Sequence, residues 1–374
     1  MSITSNWKKF ITELPHQELP YSKKNWGNAN HSLCSYQGKL KPAIAHHLVT
    51  IFTNPGDKIF DPFAGVGTIP FEAALNGRIS FGIDISPLAH IVSNAKLHKH
   101  DHALCMEYLQ QLEEYITSTD LDDEYTRKHA GFGFNKTLQD YYDPQTFAEI
   151  LKARKFIEEY YPDTPDKQLV IASLLHILHG NRPYALSRKS HPIVPYAPTG
   201  DFVYKNLIEK VTEKLTKSLN VELPNNFTEG EIFLGDSTKE WNDSICDIDT
   251  IITSPPFFDS TRFHLANWIR LWFMGWDSEE FNTEPQKYVD ERQKKDFDLY
   301  NSIFQQATER LAAGGYFVMH LGKSKKCDMG EVLKSIAKPY FKTVKLYDES
   351  VTHCDKFGIK DLGTVTSHQY LIMH

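Results

Sequence analysis

The feature that most constrains this chain is the stretch from Asp57 to Pro87, in which DKIF, DPFAGVGT, IPFEAALN and RISFGID read as strand, glycine turn, helix and strand. A strand that hands over to a helix through such a turn is half of a doubly wound α/β unit. Gly65 and Gly67 let the backbone approach a ligand with no side chain in the way. Asp84 ends the second strand 23 positions after Asp61, where a carboxylate can accept a pair of hydrogen bonds from the hydroxyls of a ribose. A dinucleotide site would place a third glycine three positions after Gly67, but that position is Pro70. Asp61 at the turn would also repel phosphates. The pattern points to an uncharged or cationic nucleoside, with Asp61, Pro62, Phe63, Ala64, Gly65, Gly67, Thr68, Asp84 and Ile85 as candidate contacts. For the two glycines alone, a plain tight turn is the competing reading.

A second α/β stretch begins at Glu231. EIFLGDS and DIDTIITSPPF read as strands, followed by a helix expected from Gln286 to Ala312, the strand GGYFVMHLG, a helix from Met329 to Ala337, and the strands KTVKLYD and SHQYLIMH. Asp236 and Ser237 close the first of these strands, and Asp236 is suited either to an adenine amino group or to an ordinary turn. Ser254, Pro255, Pro256 and Phe257 close the second, at the carboxyl end where open α/β sheets place their sites. Two prolines cannot continue a strand ladder and fix the turn rigidly. The carbonyls of the pair and the Ser254 hydroxyl offer acceptors for an exocyclic amine, and Phe257 offers a flat face for a base taken out of its stack. The alternative for this turn is an edge turn with two core aromatics.

The 374 residues are 41% hydrophobic and 24% charged, which excludes a disordered chain. No apolar run approaches the roughly 18 residues of a membrane helix. The N-terminal segment lacks the apolar stretch of a signal peptide, and the five cysteines are widely spaced, so a soluble protein in a reduced cytoplasm is expected. The net charge of -7, taken alone, argues against a protein that coats nucleic acid. That charge is unevenly spread through a helical insert between the two α/β halves. Asp101–Ala130 holds eight acids against two bases, and Asn181–Asn220 holds seven bases against three acids. Within the basic part, Arg182, Arg188 and Lys189 lie on a loop running to Pro192 that could clamp phosphates, a solvated connector being the alternative. His176 and His179 stand at helical spacing with no acid or cysteine near in sequence to complete a metal site. Arg262, in the segment Asp259 to His264, is placed to reach a target strand, and the aromatic run Asn267 to Trp276 reads as core or interface.

Together, AspProPheAlaGlyValGlyThr and ThrSerProProPhe resemble the cofactor and catalytic signatures of the S-adenosylmethionine-dependent amino-methyltransferases of DNA, the N4-cytosine and N6-adenine methylases. Ser35 to Pro42 is similar to that family's upstream segment at the methionine end of the cofactor, which adds Lys39 to the candidate contacts. The resemblance covers roughly 230 to 250 residues. It implies a doubly wound, mostly parallel seven-stranded sheet of the class I methyltransferase type. The first part of the catalytic domain is expected at 1–101, a mainly helical insert for target recognition or DNA contact at 102–228, and the second part of the domain at 229–374. Ser254 before the prolines is typical of the cytosine-N4 enzymes, whereas Phe257 stands where Tyr is commoner. The insert's position between the Asp84 and Asp236 strands departs from the family's usual motif orders.

The activity so implied is methyl transfer from S-adenosylmethionine to cytosine N4 in DNA by in-line displacement, with S-adenosylhomocysteine as product and no metal. Adenine N6, an RNA base, or a non-catalytic methylase-like subunit are the alternatives. None of the five cysteines follows a proline, which disfavours the covalent route of carbon-5 cytosine methylases. DNA is the expected partner, with a cognate restriction endonuclease or defence-system partner, no membrane, a monomeric or homodimeric state, and a cytoplasm of prokaryotic type.

Overall fold

The computed structural model describes residues 3–23, 26–191, 195–258, 262–351 and 365–374. Pro192, Cys354 and the Asp259–Ser260–Thr261 part of the segment preceding Phe263 lie outside them.

A central sheet of seven strands organises the chain: β1 (Lys58–Asp61), β2 (Ile79–Asp84), β3 (Glu231–Leu234), β4 (Ile248–Thr253), β5 (Leu311–Ser324), β6 (Val344–Ser350) and β7 (Val365–Met373), in the order β3-β2-β1-β4-β5-β7-β6. The first five run parallel, and β7 enters antiparallel between β5 and β6. This is the doubly wound sheet implied by the resemblance. The strand order reverses at β1, whose Phe60 and Asp61 are buried and which pairs with β2 on one side and β4 on the other. A crevice forms at the carboxyl ends of strands at such a switch point. Both sequence motifs leave the sheet there.

The flanking helices start where their sequences say they should. Proline is the first residue of Pro42–Phe52, Pro87–Lys96, Pro144–Glu159 and Pro165–Leu178, where its missing N–H is not needed. Ser86, Asp101, Asp143 and Thr164 each cap a free amide of the turn that follows. Between β2 and β3 the chain forms the helices His102–Ser118, Asp123–Ala130, Pro144–Glu159, Pro165–Leu178 and Leu207–Leu219. Their apolar faces share one core with Pro87–Lys96 and with Trp268 and Trp272 beyond β4. The aromatic run from Asn267 is therefore interior. Arg270 within it donates to the carbonyls of Leu175 and His179, which ties the segment after β4 to the insert.

One expected element is broken. In place of a continuous helix from Gln286 to Ala312 there are short turns at Glu284–Lys287 and Val289–Arg292 and a helix only over Leu299–Arg310, with β5 beginning at Leu311. Asp296 accepts the Asp298 amide at 2.8 Å, a local bond that competes with helix continuation. The break turns Tyr288 and Asp290 toward the crevice. Among the described residues four cysteines are free, and no helix is long and apolar enough to cross a membrane.

Candidate active site

One cavity of about 770 Å³ opens at the carboxyl ends of the strands, and both motifs line it. At one end, Asp61 closes β1 and turns back on itself, accepting the Phe63 amide at 3.0 Å and the Thr253 hydroxyl at 2.6 Å. The second bond joins the two motifs, since Thr253 is the last residue of β4. Asp84 closes β2 and accepts the amides of Gly65 at 2.8 Å and Ser86 at 2.9 Å. Burial raises both acids, Asp61 to about 7 and Asp84 to about 6, because ionisation inside a low-dielectric wall costs more than these bonds return. Asp290, also on the wall, is raised to about 6 for the same reason.

The two glycines have separate tasks. Gly65, at φ +51°, faces the cavity, and a side chain there would grow toward the ring of Tyr36. Gly67, at φ +70°, does not line the cavity; a Cβ there would lie 2.8 Å from Ser93 Cβ. It lets the helix Thr68–Leu75 pack on Pro87–Lys96, so its expected ligand contact becomes a packing contact. Buried Lys96 donates to the Val66 carbonyl from the same helix and so holds the turn from behind.

Pro62, Phe63, Ala64, Thr68, Ile85, Asp236, Ser237 and Lys39 all line the cavity. Two of them are already engaged. Asp236 is paired with Arg292 at 3.0 Å and accepts from Thr238, and Lys39 donates to the His31 carbonyl at 2.7 Å. Tyr36, Phe263 and Tyr288 add aromatic walls that sequence reasoning did not select.

At the other end stand Ser254, Pro255, Pro256 and Phe257. The Pro256 carbonyl accepts from Gln293 at 2.8 Å, and Gln293 accepts from Tyr300 at 3.0 Å. Pro256 thus anchors the turn rather than presenting an acceptor, which leaves the Ser254 hydroxyl and the Pro255 carbonyl as the pair suited to an amine. Phe257 rests on Gly322, where any Cβ would lie 2.5 Å from the ring, and against His320. His320 and His368 flank Ser254, and His16, Gln17 and Glu349 complete this end. Glu349 accepts from His16 and Gln17, each at 2.7 Å, and from Tyr370 at 2.6 Å, and these bonds hold its carboxyl well below the usual range.

The basic loop is more constrained than its sequence suggests. Arg182 and Lys189 are exposed, as is Arg262 at the start of the short helix after the Ser254–Phe257 turn. Arg188 is already engaged within the loop: its guanidinium bonds the carbonyls of Gly200 and Asp140 and lies 4.2 Å from the centre of the Phe202 ring. The side chain folds the loop from inside. His176 stacks on Tyr184, and His179 bonds Ser190 at 2.6 Å, so neither faces a shared metal position.

Residues 4–94 match the family model described as DNA methylase. Over 102 residues the chain is 31% identical to the type II methyltransferase M.MjaII of Methanocaldococcus jannaschii, covering 26% of this chain and 19% of that one. Over 95 residues it is 33% identical to the type II methyltransferase M.BsoBI of Geobacillus stearothermophilus, covering 24% and 19%. The matched segments span about a fifth of the length of these curated relatives. Among solved structures, the rRNA methyltransferase aviRa of Streptomyces viridochromogenes aligns over 95% of this chain and 93% of its own at 10% identity and a TM-score of 0.35.

The family's cofactor is S-adenosylmethionine, and the cavity fits it. Asp84 offers a carboxylate edge for a ribose, Gly65 clears a path along the backbone, and three buried carboxyls give the wall a preference for a cationic sulfonium. Residues 4–94, which carry the first signature, are thus similar to the DNA methylase family, and in this chain they meet the second signature in one cavity of the seven-stranded sheet.

Proposed function

We propose that the protein methylates the exocyclic N4 amine of cytosine in DNA. The observation that carries this reading is Ser254 beside Pro255 at the end of β4, in the same cavity as Asp84. When bound, S-adenosylmethionine supplies a methyl group on a positively charged sulfur. Asp84 would hold the ribose, Asp61 and Asp84 would ionise beside the cation, and the 35–42 segment with Lys39 would flank the methionine end. Ser254 and the Pro255 carbonyl would accept the amino protons and aim the nitrogen lone pair along the line of displacement. Phe257 would carry the base turned out of its stack. Gln293 would keep the turn rigid through Pro256.

The insert would form the DNA-facing side, with Arg182, Lys189 and Arg262 toward phosphates and the acidic Asp101–Glu124 stretch turned away. Such an enzyme would act in a prokaryotic-type cytoplasm, and its likeness to two type II methyltransferases supports a partner restriction endonuclease. The serine before the prolines favours cytosine; adenine N6 and RNA amines are the runners-up, because the same acceptors serve any exocyclic amine. Mass spectrometry of nucleosides from a host expressing the protein tests this reading. N4-methylcytosine that disappears with Ser254→Ala is expected. N6-methyladenine in its place would move the assignment to the runner-up, and no methylated amine in DNA or RNA would overturn it.

A further inference from the structure

The serine of the catalytic turn is the first link of a chain of hydrogen bonds. Ser254 Oγ lies 3.2 Å from His320 Nδ1, and His320 Nε2 lies 3.1 Å from His368 Nδ1. His320 is 3% exposed and sits in the middle of β5, paired with Tyr370 of β7, while His368 stands two residues back on β7 opposite Gly322. The groups that face His320 are Ser254 and Phe257 from the turn and His368 and Tyr370 from β7, with Glu349 of β6 and His16 acting at longer range. His368 is half-buried and lines the cavity.

The chemistry proposed above leaves a proton to be moved. As the amine's lone pair forms the new N–C bond, the S–C bond breaks with its electron pair staying on sulfur, and the nitrogen is left with a positive charge and one proton too many. A hydroxyl cannot keep that proton. It can take it only while giving its own to a second base, and Ser254 has His320 Nδ1 in reach. For Nδ1 to accept, the ring proton of His320 must sit on Nε2, and from there it faces His368 Nδ1 at 3.1 Å.

We propose that His320 and His368 form a proton relay behind Ser254, carrying the proton released by the methylated amine from the reacting nitrogen to the cavity wall. In the full step the amine gives a proton to Ser254 Oγ, Oγ–H passes to His320 Nδ1, and Nε2–H passes to His368 Nδ1. Each atom along the way ends with the number of protons it can hold, and His368 carries the charge. Burial holds His320 well below the ordinary histidine range, so it arrives neutral and passes the proton on rather than keeping it. His320 acts through Ser254; it is a positioning and relay residue. This inference rests on the amine-methylation reading and is indifferent to which base carries the amine.

The test uses the full chain, duplex DNA and S-adenosylmethionine under single-turnover conditions. His320→Asn keeps an acceptor near the Nδ1 position but cannot carry a proton. Its transfer rate at pH 7 is expected to fall about 30- to 100-fold, with the dissociation constants for cofactor and DNA within about 2-fold of wild type. Its rate should then climb with pH where the wild type has levelled off. His368→Ala should lose about 10-fold and recover with added imidazole. In 15N-histidine NMR of the S-adenosylhomocysteine complex, His320 should show a bare Nδ1 and a protonated Nε2. An active wild type with His320→Asn equally fast and unchanged in pH profile overturns the relay alone, as does the opposite tautomer. A wild type that methylates no nucleic-acid amine overturns the functional reading and the relay with it.

Discussion

The two ends of the cavity are built in different ways. The centre of the cofactor end comes from one continuous stretch, in which Asp61, Gly65 and Asp84 are brought together by a single strand–turn–helix–strand unit whose bonds run mostly between residues close in sequence, the Asp61–Thr253 bond being the link to β4. The reacting end is assembled from six distant segments: Ser254 after β4, Gln293 before the Leu299–Arg310 helix, His320 on β5, His368 on β7, Glu349 on β6, and His16 near the N-terminus. One end is local and acidic, the other non-local and rich in histidine. The difference predicts that damage at one end leaves the function of the other standing.

The largest separation should come from Ser254→Ala. Methyl transfer is expected to fall about 100- to 1,000-fold, the range for losing one preorganised group at a reacting centre, while calorimetry finds cofactor affinity within about 2-fold. Asp84→Ala should do the reverse: cofactor affinity falls about 30- to 100-fold through the loss of charge-assisted hydrogen bonds, and the transfer rate at saturating cofactor changes little. A variant that lowers both in the same proportion would break the division.

Asp61 gives a signed pH effect. Its folded pKa is raised to about 7, so folding favours the protonated form; the resulting penalty is absent below about pH 4 and complete above about pH 7. Asp61→Asn should therefore stabilise the ligand-free protein at pH 8 by on the order of 2 kcal/mol in thermal or urea unfolding, an advantage that fades toward pH 4. The same acid must ionise to favour a sulfonium. Wild-type cofactor affinity should accordingly fall by up to about 10-fold per unit as pH drops below about 7, with proton release on binding, and this slope should weaken in Asp61→Asn.

The smallest effect belongs to the insert. Arg182→Glu with Lys189→Glu should weaken DNA binding about 3- to 10-fold and flatten its salt dependence by about 2 phosphate contacts, with cofactor affinity unchanged. Arg188 is excluded from that test because its bonds to Gly200 and Asp140 fold the loop. Unaltered DNA affinity would remove the loop from the interface.

The same local and non-local split decides what could be read in the sequence. The doubly wound unit was legible because glycines, a strand-end acid and apolar runs fall within thirty residues of one another, and the prolines after β4 announced their turn. His320, His368 and Glu349 carried no such signal. They meet because β7 inserts between β5 and β6, and a histidine inside a strand looks like any other core residue until its neighbours are known. Gln293 was hidden by an expected helix that Asp296 interrupts. Gly67 and Arg188 show the same limit: each residue type suits a ligand, but in the fold Ser93 packs against the one and two carbonyls engage the other.

The central claim is that this cavity moves a methyl group from a sulfonium onto a base amine in DNA. Its most direct test is a single-turnover reaction of the purified chain with methyl-labelled S-adenosylmethionine and duplex DNA, read as label in the isolated nucleosides. The account predicts label on the exocyclic amine of cytosine, lost in Ser254→Ala with cofactor still bound; cofactor binding with no label in any DNA base would contradict it.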